Sequence, residues 1–199
     1  MTQVTRKLTF EEYASLDAED WVKLGLPEGR CEYVENGELF ELPSKSGINT
    51  RIAHYLFLLL VNAGIPFNLI CLYACEIEVS GKPKTRYPDL VILREEHLSL
   101  TQKRLFIRLH MPNPQLVVEV VSPGNDNYKR DYTAKREQYQ DRGIPEYWLL
   151  NPETETIEVL ELKDGRYVEL GKFQGTVPIQ SPTFKSLTFT AQQVFSAVR

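Results

Sequence analysis

The 199-residue sequence is short of the residues that many catalytic and scaffolding chemistries draw on. It holds three cysteines, an odd number that argues against a disulfide framework. Cys71 and Cys75 stand close together, but no histidine or cysteine cluster beside them completes a zinc site. Buried small thiols are the simpler role. The three histidines, His54, His97 and His110, fall in unrelated contexts, and neither a G-x-S-x-G element nor a glycine-rich phosphate loop is present. Serine-hydrolase and P-loop chemistries are thereby set aside. The longest apolar run, Tyr55 to Val61, is seven residues, where a membrane-spanning helix needs about 20. The opening stretch MTQVTRKLTFEEY lacks the apolar segment of a signal peptide, so the default address is the cytoplasm. Repeats, low-complexity tracts and Gly/Ser or Pro linkers are also absent, and one domain spanning residues 1–199 is expected.

What is present is an ordinary globular balance, 42% hydrophobic and 25% charged, which suffices for a real core. Net charge is −4, with a pI near 5.5. That weighs against non-specific nucleic-acid binding, which relies on Lys and Arg neutralising phosphates. A local basic face stays open, from Lys82, Lys84 and Arg86, from Lys103, Arg104 and Arg108, or from Lys129, Arg130 and Arg136.

Thr9 followed by Glu12 is a capping box, so a short helix should start near Phe10. In CEYVENGELFEL the Asn36-Gly37 pair between alternating segments signals a hairpin. A two-residue turn there would pair Val34 with Leu39, Tyr33 with Phe40, and Glu32 with Glu41. Like charges directly opposed are unfavourable, so Glu32 should point inward and Glu41 to solvent. Ile48 to Asn62 carries helical periodicity and is apolar on nearly every side at its end, which suits deep burial or a dimer contact. Strands are expected at about 69–79 and 87–93, and a short helix and loop over 94–114. A buried strand at 116–121, a polar helix over 127–141 and a strand at 146–150 should follow. A hairpin around Asp164-Gly165 and a last helix capped by Thr190 and Gln193 complete a mixed sheet with helices packed against it, an α/β architecture of the α+β kind.

Three residues are anomalous in this setting. In LVVEVV, alternation puts Glu119 on the same face as Val117 and Val121. A carboxylate there costs several kcal/mol unless paired or metal-bound, and an internal salt bridge to an arginine would satisfy it as well as a metal. Asp89 in YPDLVIL stands at the mouth of the preceding strand. Acids on neighbouring strands, about 4.8 Å apart, can offer both carboxylates to one cation. The helix over 127–141 has no Leu, Ile or Val, so its inward stripe must use Tyr128, Tyr132 and Tyr139, and Lys135 falls in that row. The lysine either pairs with Asp131 at the surface or aims its amine at the carboxylates. Two strand acids and a lysine describe metal-assisted phosphodiester hydrolysis, with Mg²⁺ or Mn²⁺ on Asp89 and Glu119 and Lys135 orienting the water or stabilising charge.

YPDLVIL, LVVEVVSP, the D-x-x-x-K-x-x-x-Y spacing of Asp131, Lys135 and Tyr139, and GIPEYWLLNP together resemble the Uma-two family of restriction endonucleases, within the PD-(D/E)XK nuclease superfamily. The resemblance covers nearly the whole chain, including the CEYVENGELFEL hairpin. It implies a restriction-endonuclease-like core of helices flanking a mixed sheet, with an N-terminal helix and hairpin and a C-terminal hairpin as additions. Pro88-Asp89 matches the PD element and Glu119 the acidic position. The lysine usually found two residues on is here Val121, and Lys135 supplies it from the following helix. Glu32 matches the hairpin glutamate, which the resemblance implies as a further catalytic-site residue, an extra ligand or water-holder. Asn36 and Asn151 replace the family's usual aspartates. The implied activity is Mg²⁺- or Mn²⁺-dependent cleavage of DNA by a homodimer. The alternatives are a catalytically silent nucleic-acid-binding or regulatory module, and a structural partner protein whose acids make internal salt bridges. On the enzyme reading, Lys135 should turn toward Glu119, and its loss should leave folding nearly intact.

Overall fold

The computed structural model describes residues 7–27 and 29–196. Residues 1–6, 28 and 197–199, which the expected 1–199 domain and the absence of a leader partly concern, lie outside the described residues. Two short helices come first, α1 (Phe10–Ser15) and α2 (Ala18–Lys23), each opened by a capping box, from Thr9 with Glu12 and from Asp17 with Asp20. The hairpin β1 (Cys31–Tyr33) and β2 (Leu39–Glu41) leads into α3 (Gly47–Asn62), whose N-terminus is capped by Ser46. Next are β3 (Ile70–Leu72), β4 (Glu76–Glu78), β5 (Thr85–Arg86), β6 (Leu90–Ile92), α4 (Glu95–Leu100), β7 (Phe106–Ile107) and β8 (Leu116–Val120). A continuous helical run follows, α5 (Asn125–Lys129), a π-helical turn at Arg130–Lys135 and α6 (Arg136–Arg142). The chain then forms β9 (Glu146–Asn151), β10 (Thr156–Lys163), β11 (Arg166–Gln174) and α7 (Ala191–Ser196).

The main sheet has six strands in the order β11-β10-β9-β8-β6-β3. Its pairs are antiparallel except β8 with β9, which is parallel. The alternation of LVVEVV holds. Leu116, Val118 and Val120 pack with Ile52, Leu56 and Leu60 of α3 and Val194 of α7. Val117 and Val121 turn to the other face and join Ile77, Ile107, Tyr139 and Tyr147. A third cluster of Leu8, Tyr13, Leu26, Tyr33 and Phe106 holds the N-terminal helices against the hairpin. Cys31 and Cys75 are buried, and all three cysteines are free thiols. No helix among the described residues is long and apolar enough to cross a membrane.

Two expectations need correction. The strand expected over 69–79 is two strands in different sheets. Tyr73 adopts φ +58° and turns the chain, so β3 pairs with β6 while β4 pairs with β5 and β7. The hairpin register is shifted by one residue: Tyr33 opposes Leu39, Glu32 opposes Phe40 and Cys31 opposes Glu41. Asn36 and Gly37 do occupy the turn with positive φ. However, both the Glu38 bond to Glu35 and the Val34 bond to Glu38 are made, which leaves one extra residue on the first strand. That is a bulge. Glu32 and Glu41 are therefore not directly opposed; Glu32 is buried and Glu41 is exposed.

Candidate active site

β6 and β8 pair with Leu90 opposite Val118 and Val91 opposite Val117. Asp89 immediately precedes β6 and donates its amide to the Val118 carbonyl (3.2 Å), which brings it beside Glu119, the next residue of β8. Both side chains are closed off from solvent, Asp89 at 0% and Glu119 at 1% exposure. Two buried carboxylates so close are costly unless compensated, and the surrounding elements supply the compensation. The Val120 amide donates to Asp89 Oδ2 (2.8 Å). Lys45 Nζ, from the loop between β2 and α3, lies 2.5 Å from Asp89 Oδ1. That oxygen nevertheless receives no well-oriented hydrogen bond. Tyr139 donates its hydroxyl to Glu119 Oε1 (3.0 Å), and Lys135 Nζ lies 2.7 Å from Glu119 Oε2 and 3.1 Å from Asp131 Oδ1.

The π-helical turn explains how Lys135 arrives there. Residues spaced by four drift around an α-helix of 3.6 residues per turn. The wider i→i+5 turn counteracts that drift, so Asp131, Lys135 and Tyr139 all face the sheet and are buried. Tyr147 of β9 ties the turn down by donating its hydroxyl to the Asp131 carbonyl (3.0 Å). The expected tyrosine stripe is corrected accordingly. Tyr128 is 51% exposed and stacks on Tyr132 at 4.1 Å, while Asp131 takes the inward place.

Burial raises the Glu119 pKa to about 7; Lys135 opposes the shift, and Asp89 and Asp131 reinforce it. For Lys135, burial works against the charged amine, but Glu119 and Asp131 outweigh it and hold its pKa above the ordinary value. Asp131 is held below the usual carboxylate range because Lys135 and Arg130 outweigh its burial. Lys135 is thus a permanent cation at neutral pH, suited to stabilising negative charge and unsuited to acting as a base.

Glu32 lies on the same side of the fold. It is paired with Arg86 at 2.9 Å, both residues being buried, and Arg86 Nε donates to Gln138 Oε1 of α6 (2.7 Å). A cleft of about 260 Å³ is lined by Glu32, Lys45, Tyr87, Ser122, Asn127, Arg130 and Lys135, among others. Asp89 and Glu119 are not among its lining residues; the two lysines that pair with them are. The structure therefore gathers all four sequence-derived candidates, Asp89, Glu119, Lys135 and Glu32, around one cleft. Sequence reasoning missed Lys45 and Arg86 as neighbours of the acids, and it read Asp131 as a surface partner when it is buried. The D-x-x-x-K-x-x-x-Y spacing was the available signal for Asp131 and Tyr139; nothing in the PSKSG loop signals Lys45. Of the proposed basic faces, Lys82, Lys84, Lys103 and Lys129 are exposed, while three arginines are drawn into ion pairs of the fold. Arg104 pairs with buried Glu76, Arg108 with Glu78 and Glu11, and Arg86 with Glu32.

Among the described residues, no group of three or more His, Cys, Asp or Glu side chains is arranged to hold a metal ion. Asp89 and Glu119 do offer the oxygen donors that hard cations take. Mg²⁺ is commonly bound through one or two carboxylates with water completing its shell. Asp89 Oδ1, which has no oriented hydrogen-bond donor, would take such an ion in place of the Lys45 amine.

The fold is similar to the crystal structure of "a putative nuclease belonging to DUF820" from Anabaena variabilis ATCC 29413. The TM-score is 0.66 at 18% sequence identity, covering 92% of this chain and 99% of that one. At that identity the likeness speaks for the fold. No curated protein matches the sequence significantly. The model of the Uma2 family, described as "Putative restriction endonuclease", matches residues 10–192, and the chain belongs to that family.

Proposed function

We propose that this protein is a divalent-metal-dependent endonuclease that hydrolyses phosphodiester bonds of DNA, with Asp89 and Glu119 as metal ligands and Lys135 as the cationic catalytic group. Family membership supports a nuclease. One observation carries the finer reading, namely two buried carboxylates held side by side, Asp89 by the backbone of β8 and Glu119 on that strand, with a buried lysine amine on one of them. A bound Mg²⁺ or Mn²⁺ would supply a polarised water and neutralise the leaving oxyanion. Lys135, fixed by Glu119 and Asp131, presents a positive charge to the cleft where a phosphate would sit. Arg130, which also lines the cleft, adds a second positive charge there. Glu32, anchored by Arg86 and lining the cleft, would hold a water there. A homodimer would provide one centre per DNA strand, and Ile48 and Leu58 of α3 are half exposed and apolar.

A second reading is favoured by the ion pairs themselves. Lys45 and Lys135 already neutralise both strand acids, as they would in a silent nucleic-acid-binding or regulatory module. Incubation with supercoiled plasmid separates the two. The enzyme reading expects nicked and linear DNA with Mg²⁺ or Mn²⁺, intact plasmid with EDTA, and loss of cutting in Asp89→Ala. Intact plasmid in every metal, with retention on DNA, would support the silent module.

A further inference from the structure

Lys135 and Lys45 both cover the two buried acids, but they are held very differently. Lys135 is 5% exposed in its side chain and bridges two carboxylates from a helical turn packed on the sheet. Lys45 is 20% exposed and sits on the loop between β2 and α3. Its one ion pair among the described residues is to Asp89 Oδ1, and that contact is not an oriented hydrogen bond. Asp89 itself is at 0% exposure and does not line the cleft, whereas Lys45 does. Any cation reaching Asp89 from the cleft must therefore take the place of the Lys45 amine.

From this arrangement we infer that Lys45 is a resident placeholder for the divalent cation, and that the two are alternative occupants of the same Asp89 oxygen. The inference rests on the metal-site reading above. In the metal-free protein the Lys45 amine compensates the buried Asp89 carboxylate, as Lys135 compensates Glu119. A divalent ion at Asp89 repels the ammonium, and the flexible four-carbon stem lets it withdraw along the cleft without disturbing α3. Because the metal-competent state is the one with Lys45 withdrawn, the apparent metal affinity is reduced by the fraction of molecules in which the amine is seated.

The direct test is Mn²⁺ binding measured calorimetrically on the substrate-free protein, comparing the native chain with Lys45→Met, Asp89→Asn and Lys129→Met, each checked for folding by circular dichroism. Lys45→Met keeps the apolar stem and removes the competing charge; Lys129, exposed on the neighbouring helix, reports the general field effect of losing a nearby cation. The expected result is Mn²⁺ binding at least about tenfold tighter in Lys45→Met. Lys129→Met should change it less than about twofold, and Asp89→Asn should abolish it. Equal or weaker binding in Lys45→Met, or equal gains in Lys45→Met and Lys129→Met, would overturn the placeholder role. If the native chain still loses its ion in Asp89→Asn, the metal-site reading survives that failure. Binding that persists in Asp89→Asn, or no binding by any folded variant, would overturn both.

Discussion

Lys135 Nζ lies 2.7 Å from Glu119 Oε2 and also contacts Asp131, with both acids at 1% side-chain exposure. The amine is therefore part of the fold as well as of the candidate chemistry, and its two buried pairs lead us to expect that its loss lowers stability. Removing one partner of a buried pair costs about 3–5 kcal/mol because the other charge is left uncompensated. Lys135→Met should lower stability by about that amount at pH 8. The loss should be smaller at pH 6. Without Lys135, the main influence lowering the Glu119 pKa disappears, so the folded-state value rises further above the unfolded one. A carboxyl raised in this way costs stability as pH climbs from its unfolded pKa through its folded pKa. Urea titrations at the two pH values read the difference; an equal loss at both would contradict the assignment.

The raised pKa of Glu119, about 7 through burial, also sets a direction for metal binding. A carboxyl that holds a proton must release it before taking a cation. Mn²⁺ affinity should therefore increase about tenfold between pH 6 and pH 8, and the increase should disappear in Glu119→Gln. Calorimetry at the two pH values checks this. A flat profile in the native chain would remove Glu119 from the ligand set.

Glu32 and Arg86 couple the hairpin to α6 through a buried pair and the Gln138 bond. Glu32→Gln should cost about 3 kcal/mol. Arg86→Met should cost less in that background than alone, with a coupling energy of about 0.5–3 kcal/mol. Additive losses in a double-mutant cycle would show that the pair contributes nothing as a pair.

The hairpin turn carries its own test. Gly37 has φ +82°, and a Cβ there would stand 2.6 Å from the Leu8 backbone nitrogen. Gly37→Ala should lower stability by about 1–3 kcal/mol, measurable as a reduced denaturation midpoint. No loss would mean that the turn does not pack on the N-terminal segment.

Glu119 on β8 was legible in the sequence because strand alternation is local, and Asp89 because it stands just before the apolar run of β6. A glutamate within LVVEVV has one face available, and its neighbours declare that face apolar. Lys135 was legible from helical spacing, and Tyr139 of its expected row is buried beside it, whereas Tyr128 is exposed and Asp131 takes an inward place the row did not include. The π-helical turn that reassigns the row leaves no mark in a polar stretch such as NYKRDYTAKREQY. Lys45, Arg86 and buried Asp131 owe their roles to packing between segments distant in sequence, which periodicity does not encode. The same limit explains the strand expected over 69–79. Tyr73 turns the chain between two sheets without a glycine or proline at that residue to announce it. The hairpin shows the converse, since Asn36-Gly37 correctly placed the turn while the extra bulge residue altered the pairing.

The central claim is that Asp89 and Glu119 form one divalent-cation site, and crystals of the native protein grown with Mn²⁺ test it most directly. An anomalous difference map should show one ion within about 2.3 Å of an oxygen of each carboxylate, with water completing its shell. A map in which Lys45 and Lys135 remain seated on the two acids, and the ion is absent or bound elsewhere at saturating Mn²⁺, would contradict it.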